Sequence, residues 1–221
     1  MGHYNRRLEL GMTDTQVAAT ETYPKTFDVP QILKWRAQGE TAERIFQEAR
    51  AEIRTSDKVH LDFNELPGSV AGAMALAVLG DVSYYTVRTP QVERTTKDWL
   101  NNKGFPNPEV VVICSDPKDK LRKVIADKLI PSYDISGDEM PTVIIVDDSF
   151  AQLVKAADEI VTEDPTMRQH VERIILVGFG LPREEIQLRG EFYPKSGLRT
   201  LALPDWQREN VDNLISTLAA N

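Results

Sequence analysis

In the stretch "TVIIVDDSF", residues 142–150, an apolar run leads directly into two adjacent carboxylates, Asp147 and Asp148. Adjacent acids at the carboxyl end of a strand can share a hard divalent cation, which prefers carboxylate and water oxygens. They can equally serve as the cap and first-turn acid of the helix that follows. Other strand ends carry polar groups of the same kind: Thr86 after "VSYY", and Ser115 and Asp116 after "VVVIC". Ligands of open parallel sheets bind outside the carboxyl ends of the strands, so these positions are the ones to follow.

The elements that would carry these groups follow a regular pattern. "TAERIFQEARAEIR" has Ala42, Ile45, Phe46, Ala49 and Ile53 at helical spacing, with Thr41 as an N-cap. "LPGSVAGAMALAVLG" reads as a buried helix. The strand "DVSYYTV" precedes a helix opened by Thr89 and Pro90 and stopped at Gly104. Then come the strand "EVVVICS", the helix "PKDKLRKVIADKL", the strand "TVIIV", the helix "SFAQLVKAADEIV", the strands "RIILVGF" and "LRTLALP", and the closing helix "WQRENVDNLISTLAA". Strands alternating with helices indicate a parallel sheet covered on both faces.

The chain has 221 residues, enough for one large α/β domain or one domain with a small inserted module. Its net charge of −8 argues against general binding to a nucleic-acid backbone. A local pocket can still oppose that charge and take an anionic small molecule. No segment is apolar and long enough to span a bilayer. The single cysteine, Cys114, excludes an intrachain disulfide and fits a reducing, cytoplasmic setting. Inside its apolar run Cys114 reads as a small buried hydrophobe. His3, His60 and His170 lack the spacing of a zinc site.

Two familiar uses of paired acids fit poorly. A response-regulator receiver needs a further strand ending in Asp, and "IILVGFG" supplies none. A nucleotide triphosphatase needs a GxxxxGK[ST] phosphate loop, which the chain lacks. Residues 65 to 217 instead resemble the haloacid dehalogenase superfamily. The resemblance rests on Pro67-Gly68 opening a helix, on "TVRTP" (Thr86 to Pro90) ending the next strand, on "WLNNKGF", on a Lys in the following helix, on "TVIIVDDS", and on the closing Trp206 and helix. It implies an α/β fold, a three-layer sandwich with a mostly parallel Rossmann-like sheet and a small helical cap. It implies that Thr86 and either Lys118 or Lys120 bind phosphate, that Asp147 and Asp148 help bind Mg2+, and that the ligand is a small phosphorylated molecule or, in a regulatory member, a protein partner. The plainer alternatives are a strand-ending Thr86, solvated Lys118 and Lys120, and an Arg88 paired with a cap carboxylate.

The superfamily's opening motif, Asp-x-Asp-Gly-Thr/Val, has no clean counterpart. One placement is "VHLDFNELPG", with Asp62 as nucleophile and Asn64 in the acid/base place, after a short strand "VHL". The other is "RRLELGMTDTQVA", with Gly11 in the nucleophile place and Thr13 in the acid/base place. The second makes residues 1–15 and 65–221 the core and 16–64 a helical cap. On the first placement the chain is a magnesium-dependent phosphohydrolase; on the second it is a catalytically impaired relative used for binding or regulation.

Overall fold

The computed structural model describes residues 4, 8–12, 30–61, 65–131, 141–181 and 194–220. In chain order these form α1 (Pro30–Arg36), α2 (Glu40–Thr55), α3 (Asp57–Leu61), α4 (Ser69–Leu76), β1 (Tyr84–Val87), α5 (Glu93–Lys103), β2 (Val111–Cys114), α6 (Pro117–Val124), β3 (Val143–Asp147), α7 (Phe150–Glu163), α8 (Arg168–Val171), β4 (Ile174–Phe179), β5 (Arg199–Leu203) and α9 (Arg208–Ala219). A 3-10 turn, Pro90–Val92, precedes α5, and α6 runs on through a π-helical turn, Ile125–Leu129.

The punctuation residues act as their chemistry dictates. Gly104 ends α5 in the left-handed region at φ 81°, and the Phe105 N–H returns to the Leu100 carbonyl at 3.0 Å. Asp116 caps α6 by accepting from the Asp119 N–H at 2.8 Å, while Asp119 accepts from the Ser115 N–H at 2.8 Å. Ser115 and Asp116 are thus engaged in starting a helix. One cap differs from expectation: α2 begins at Glu40 after Gly39, so Thr41 lies inside the helix.

All described strand pairs are parallel. β3, β4 and β5 form one sheet with β4 in the middle, and β1 and β2 form another. Side chains of β4 alternate between two cores, as a strand covered on both faces requires. Ile174 and Leu176 join Leu121 and Ile125 of α6 and Phe150, Leu153 and Ala157 of α7. Ile175 and Val177 join Leu203 of β5 and Val211 and Leu214 of α9, with Leu76 and Trp206 against them. Helix α6 also packs on β1 and β2, so it ties the two sheets together.

The protein is therefore a mixed α/β fold with parallel strands, but the described residues do not form one continuous sheet. Among the described residues β1 bonds only to β2, and β3 only to β4. Both are partly exposed along their whole length, whereas Ile174 to Gly178 of β4 are buried. Among the described residues, neither segment considered for the opening strand is a strand. "VHL" is helical, within α3. Leu8 and Met12 pack with Tyr4, Ile32, Phe46 and Ala49 in a cluster of their own, with Trp35 partly buried against it. Gly11, at φ 65°, lies in that cluster's turn and does not end a strand. Asp62, Asn64 and Thr13 lie outside the described residues.

Candidate functional site

Strand β3 ends on Asp147, and the next helix starts three residues later. The Asp147 carboxylate closes this short turn itself: its Oδ1 accepts from the Ser149 N–H at 2.7 Å. Across from Asp147 in the ladder stands Gly178, where a side chain would collide with the Phe150 ring. That gap lets Phe150 seat against the sheet and brings the first turn of α7 down behind the two acids.

The other carboxylate oxygen of Asp147, Oδ2, accepts from Lys120 Nζ at 2.5 Å, and both side chains are only 10% exposed. Lys120 comes from α6, which starts just after β2. The carboxyl ends of β2 and β3 therefore meet at this ion pair. Thr86 and Arg88 belong to the same end, because Val87 of β1 is in register with Cys114 of β2.

The structure separates the two candidate lysines for a simple reason. Residues two apart on an α-helix point in directions about 200° apart, so only one can face the strand end. Lys118 points away, to Glu163 at 2.5 Å and Glu159 at 3.6 Å on α7. It belongs to a surface network that also includes Arg122. Cys114 is buried and free. Tyr84 donates to the Pro106 carbonyl at 2.6 Å and meets Phe105 edge-on, so it is a packing residue.

Asp148 stands exposed beside the pair and receives a long bond, 3.3 Å, from the Ser149 hydroxyl. Surrounding protein and the neighbouring Asp147 charge push its carboxyl pKa above the usual carboxylate range. With Lys120 counted, the two acids keep a net negative charge. A divalent cation would relieve that repulsion. Magnesium keeps several waters and takes one or two protein carboxylates, so Asp147 and Asp148 suit it as a pair. Among the described residues, no group of three or more His, Cys, Asp or Glu side chains is placed to hold a metal.

A raised acid pKa means that the native state holds the proton more readily than the unfolded chain. Stability from this group is present at low pH and is lost as pH rises through the raised value. Asp148→Asn is thus expected to raise the melting temperature at pH 7 by a few °C at most, given its exposure. The gain should vanish below about pH 4, where both states are protonated. Melts of the two proteins across that range check this. A gain independent of pH would show that charge repulsion is not the cause.

Arg88 is the feature for which sequence reading gave no preference. Among the described residues its guanidinium donates to Thr96 Oγ1, at 3.0 Å, and to no carboxylate. No family model, curated protein or solved structure matches the chain, so fold and site stand on their own geometry.

Proposed function

We propose that the chain is a haloacid-dehalogenase-like, magnesium-dependent phosphohydrolase acting on a small phosphate ester. On this reading β1–β2 and β3–β5 are parts of one three-layer α/β sandwich with a Rossmann-like sheet, and the N-terminal helices are its cap. The observation that carries the proposal is the Lys120–Asp147 ion pair. A buried cation beside an aspartate at the end of a parallel strand supports this reading, since phosphate and a magnesium ion need charges of both signs close together.

In this role Lys120 and the Thr86 hydroxyl hold phosphoryl oxygens. Asp147 and Asp148 hold magnesium, whose charge offsets the repulsion between an anionic nucleophile and an anionic ester. With Gly11 packed among helices, Asp62 is the remaining candidate nucleophile. Its carboxylate would attack phosphorus and expel the alcohol, and water would then hydrolyse the aspartyl-phosphate. Asn64 follows it where a general acid/base is expected, and an amide does not transfer protons at neutral pH. That residue favours a second reading, a binding or regulatory protein that retains the phosphate and magnesium sites.

Turnover of p-nitrophenyl phosphate with magnesium distinguishes the two. The enzyme reading expects activity that falls by about 100-fold or more in Asp62→Asn and in Asp147→Asn. Absent turnover with saturable phosphate binding selects the binding reading. Turnover that survives both substitutions overturns the assignment of these residues.

A further inference from the structure

Arg88 lies one residue beyond β1 of the two-stranded sheet. Lys120 is on α6, which packs on β1 and β2, and it pairs with Asp147 at the end of β3 in the other sheet. It is partly buried, and loss of water lowers its pKa. Arginine taken out of water normally meets a carboxylate, because an uncompensated buried charge is costly. Here no carboxylate of the described residues lies within ion-pair distance of it. Its one described side-chain bond goes to Thr96 Oγ1, and that hydroxyl is itself engaged with the Val92 carbonyl at 2.8 Å. Most of the guanidinium's donors are left uncommitted among the described residues.

The surroundings place this group where a ligand would be selected. Helix α2 packs against the 3-10 turn Pro90–Val92, and α3 against α5. Thr95, next to Thr96, is hydrogen-bonded to Asp57 of α3. The helical module thus meets the core beside Arg88. A planar fork with free donors suits a carboxylate or phosphate, which it binds bidentately.

We propose that Arg88 is an oxyanion-binding residue that holds a second anionic group, carboxylate or phosphate, of a ligand whose phosphoryl group lies at Lys120. The substrate class is then a small phosphate ester with another acidic group, not a neutral sugar or alcohol phosphate. This rests on the phosphate reading of the site.

The test is calorimetric titration, with saturating magnesium, of inorganic phosphate, phosphonoacetate and methylenediphosphonate. The wild type should bind one of the two bifunctional probes at least ~10-fold more tightly than phosphate. Preference for phosphonoacetate identifies a carboxylate as the second group, and preference for methylenediphosphonate a phosphate. Arg88→Met should lose that gain, bind phosphate as the wild type does, and melt at or above the wild-type temperature, since it replaces a desolvated cation with an apolar chain. Arg88→Gln, which keeps a polar end for Thr96, should lose the gain as well. A gain that persists in both variants overturns the proposal. Phosphate binding by the wild type with no advantage for either bifunctional probe also overturns it, while leaving the phosphate site intact. Binding of no probe at all removes the phosphate reading and this inference together.

Discussion

Lys120→Met is expected to lower the stability of the fold by about 3–5 kcal/mol, because it leaves the Asp147 carboxylate desolvated and without its counter-ion. Asp147 is 10% exposed, so water cannot replace the lost ammonium. The backbone bond from Ser149 remains but cannot neutralise a full charge. For a chain of this size the loss corresponds to a fall of roughly 10 °C in melting temperature. Asp147→Asn should be similarly costly, since it strands Lys120, which is 8% exposed. The double variant should cost less than the sum of the two, because each single change already destroys the pair. Lys118→Met is the control: its acid partners Glu159 and Glu163 are far more exposed, and its loss should stay within about 1 kcal/mol. On the proposed function, magnesium should partly restore Lys120→Met, because the cation supplies the counter-charge that Asp147 has lost. Equal losses at Lys118 and Lys120, or strict additivity in the double variant, would show that the ion pair is not what secures this end of the sheet.

The same pair shows where a linear sequence stops being informative. The strand "TVIIV" and the helix "PKDKLRKVIADKL" were legible from branched residues and from the Pro117 start, because those are local preferences. Which lysine of that helix faces inward was not, because it depends on the helix's rotation against β3. Arg88 was equally silent: a guanidinium at a strand end reads the same whether an acid awaits it or not. The opening strand failed for a different reason. "VHL" is short and carries a polar residue, and tertiary packing of α3 beside α5 overrides the β preference of Val59. "LELG" is too weakly patterned to choose a partner, and Leu8 is buried by the helices of the N-terminal module instead. The exposure of β1 and β3 records the consequence. Two parallel sheets pack on α6, while the edges between them stay unpaired among the described residues.

Helix α4 precedes β1 in the chain and packs on α9 and Trp206, so Gly68→Ala should have the second large effect. Gly68 precedes α4 in the left-handed region, at φ 79°, where a side chain costs about 1 kcal/mol. A Cβ there would also stand 2.6 Å from the Trp206 carbonyl oxygen, which is backbone and cannot swing aside. Trp206 is held in turn by stacking on Phe179, with ring centroids 5.3 Å apart, and by the close approach of its ring to Gly72. Relief therefore requires moving α4 off Trp206 and the face of the sheet behind it. The two costs together come to roughly 2–4 kcal/mol, or a fall of about 5–12 °C. Gly80→Ala is the matched control: its φ is unexceptional and a Cβ there would meet nothing within 4 Å, so its melting temperature should stay within about 2 °C of the wild type. On the proposed function, Gly68→Ala should also weaken phosphate binding at temperatures where the protein is still folded, because α4 is the helix that precedes the strand carrying Thr86. A variant that melts early but binds normally would show that α4 stabilises the core without setting the position of β1.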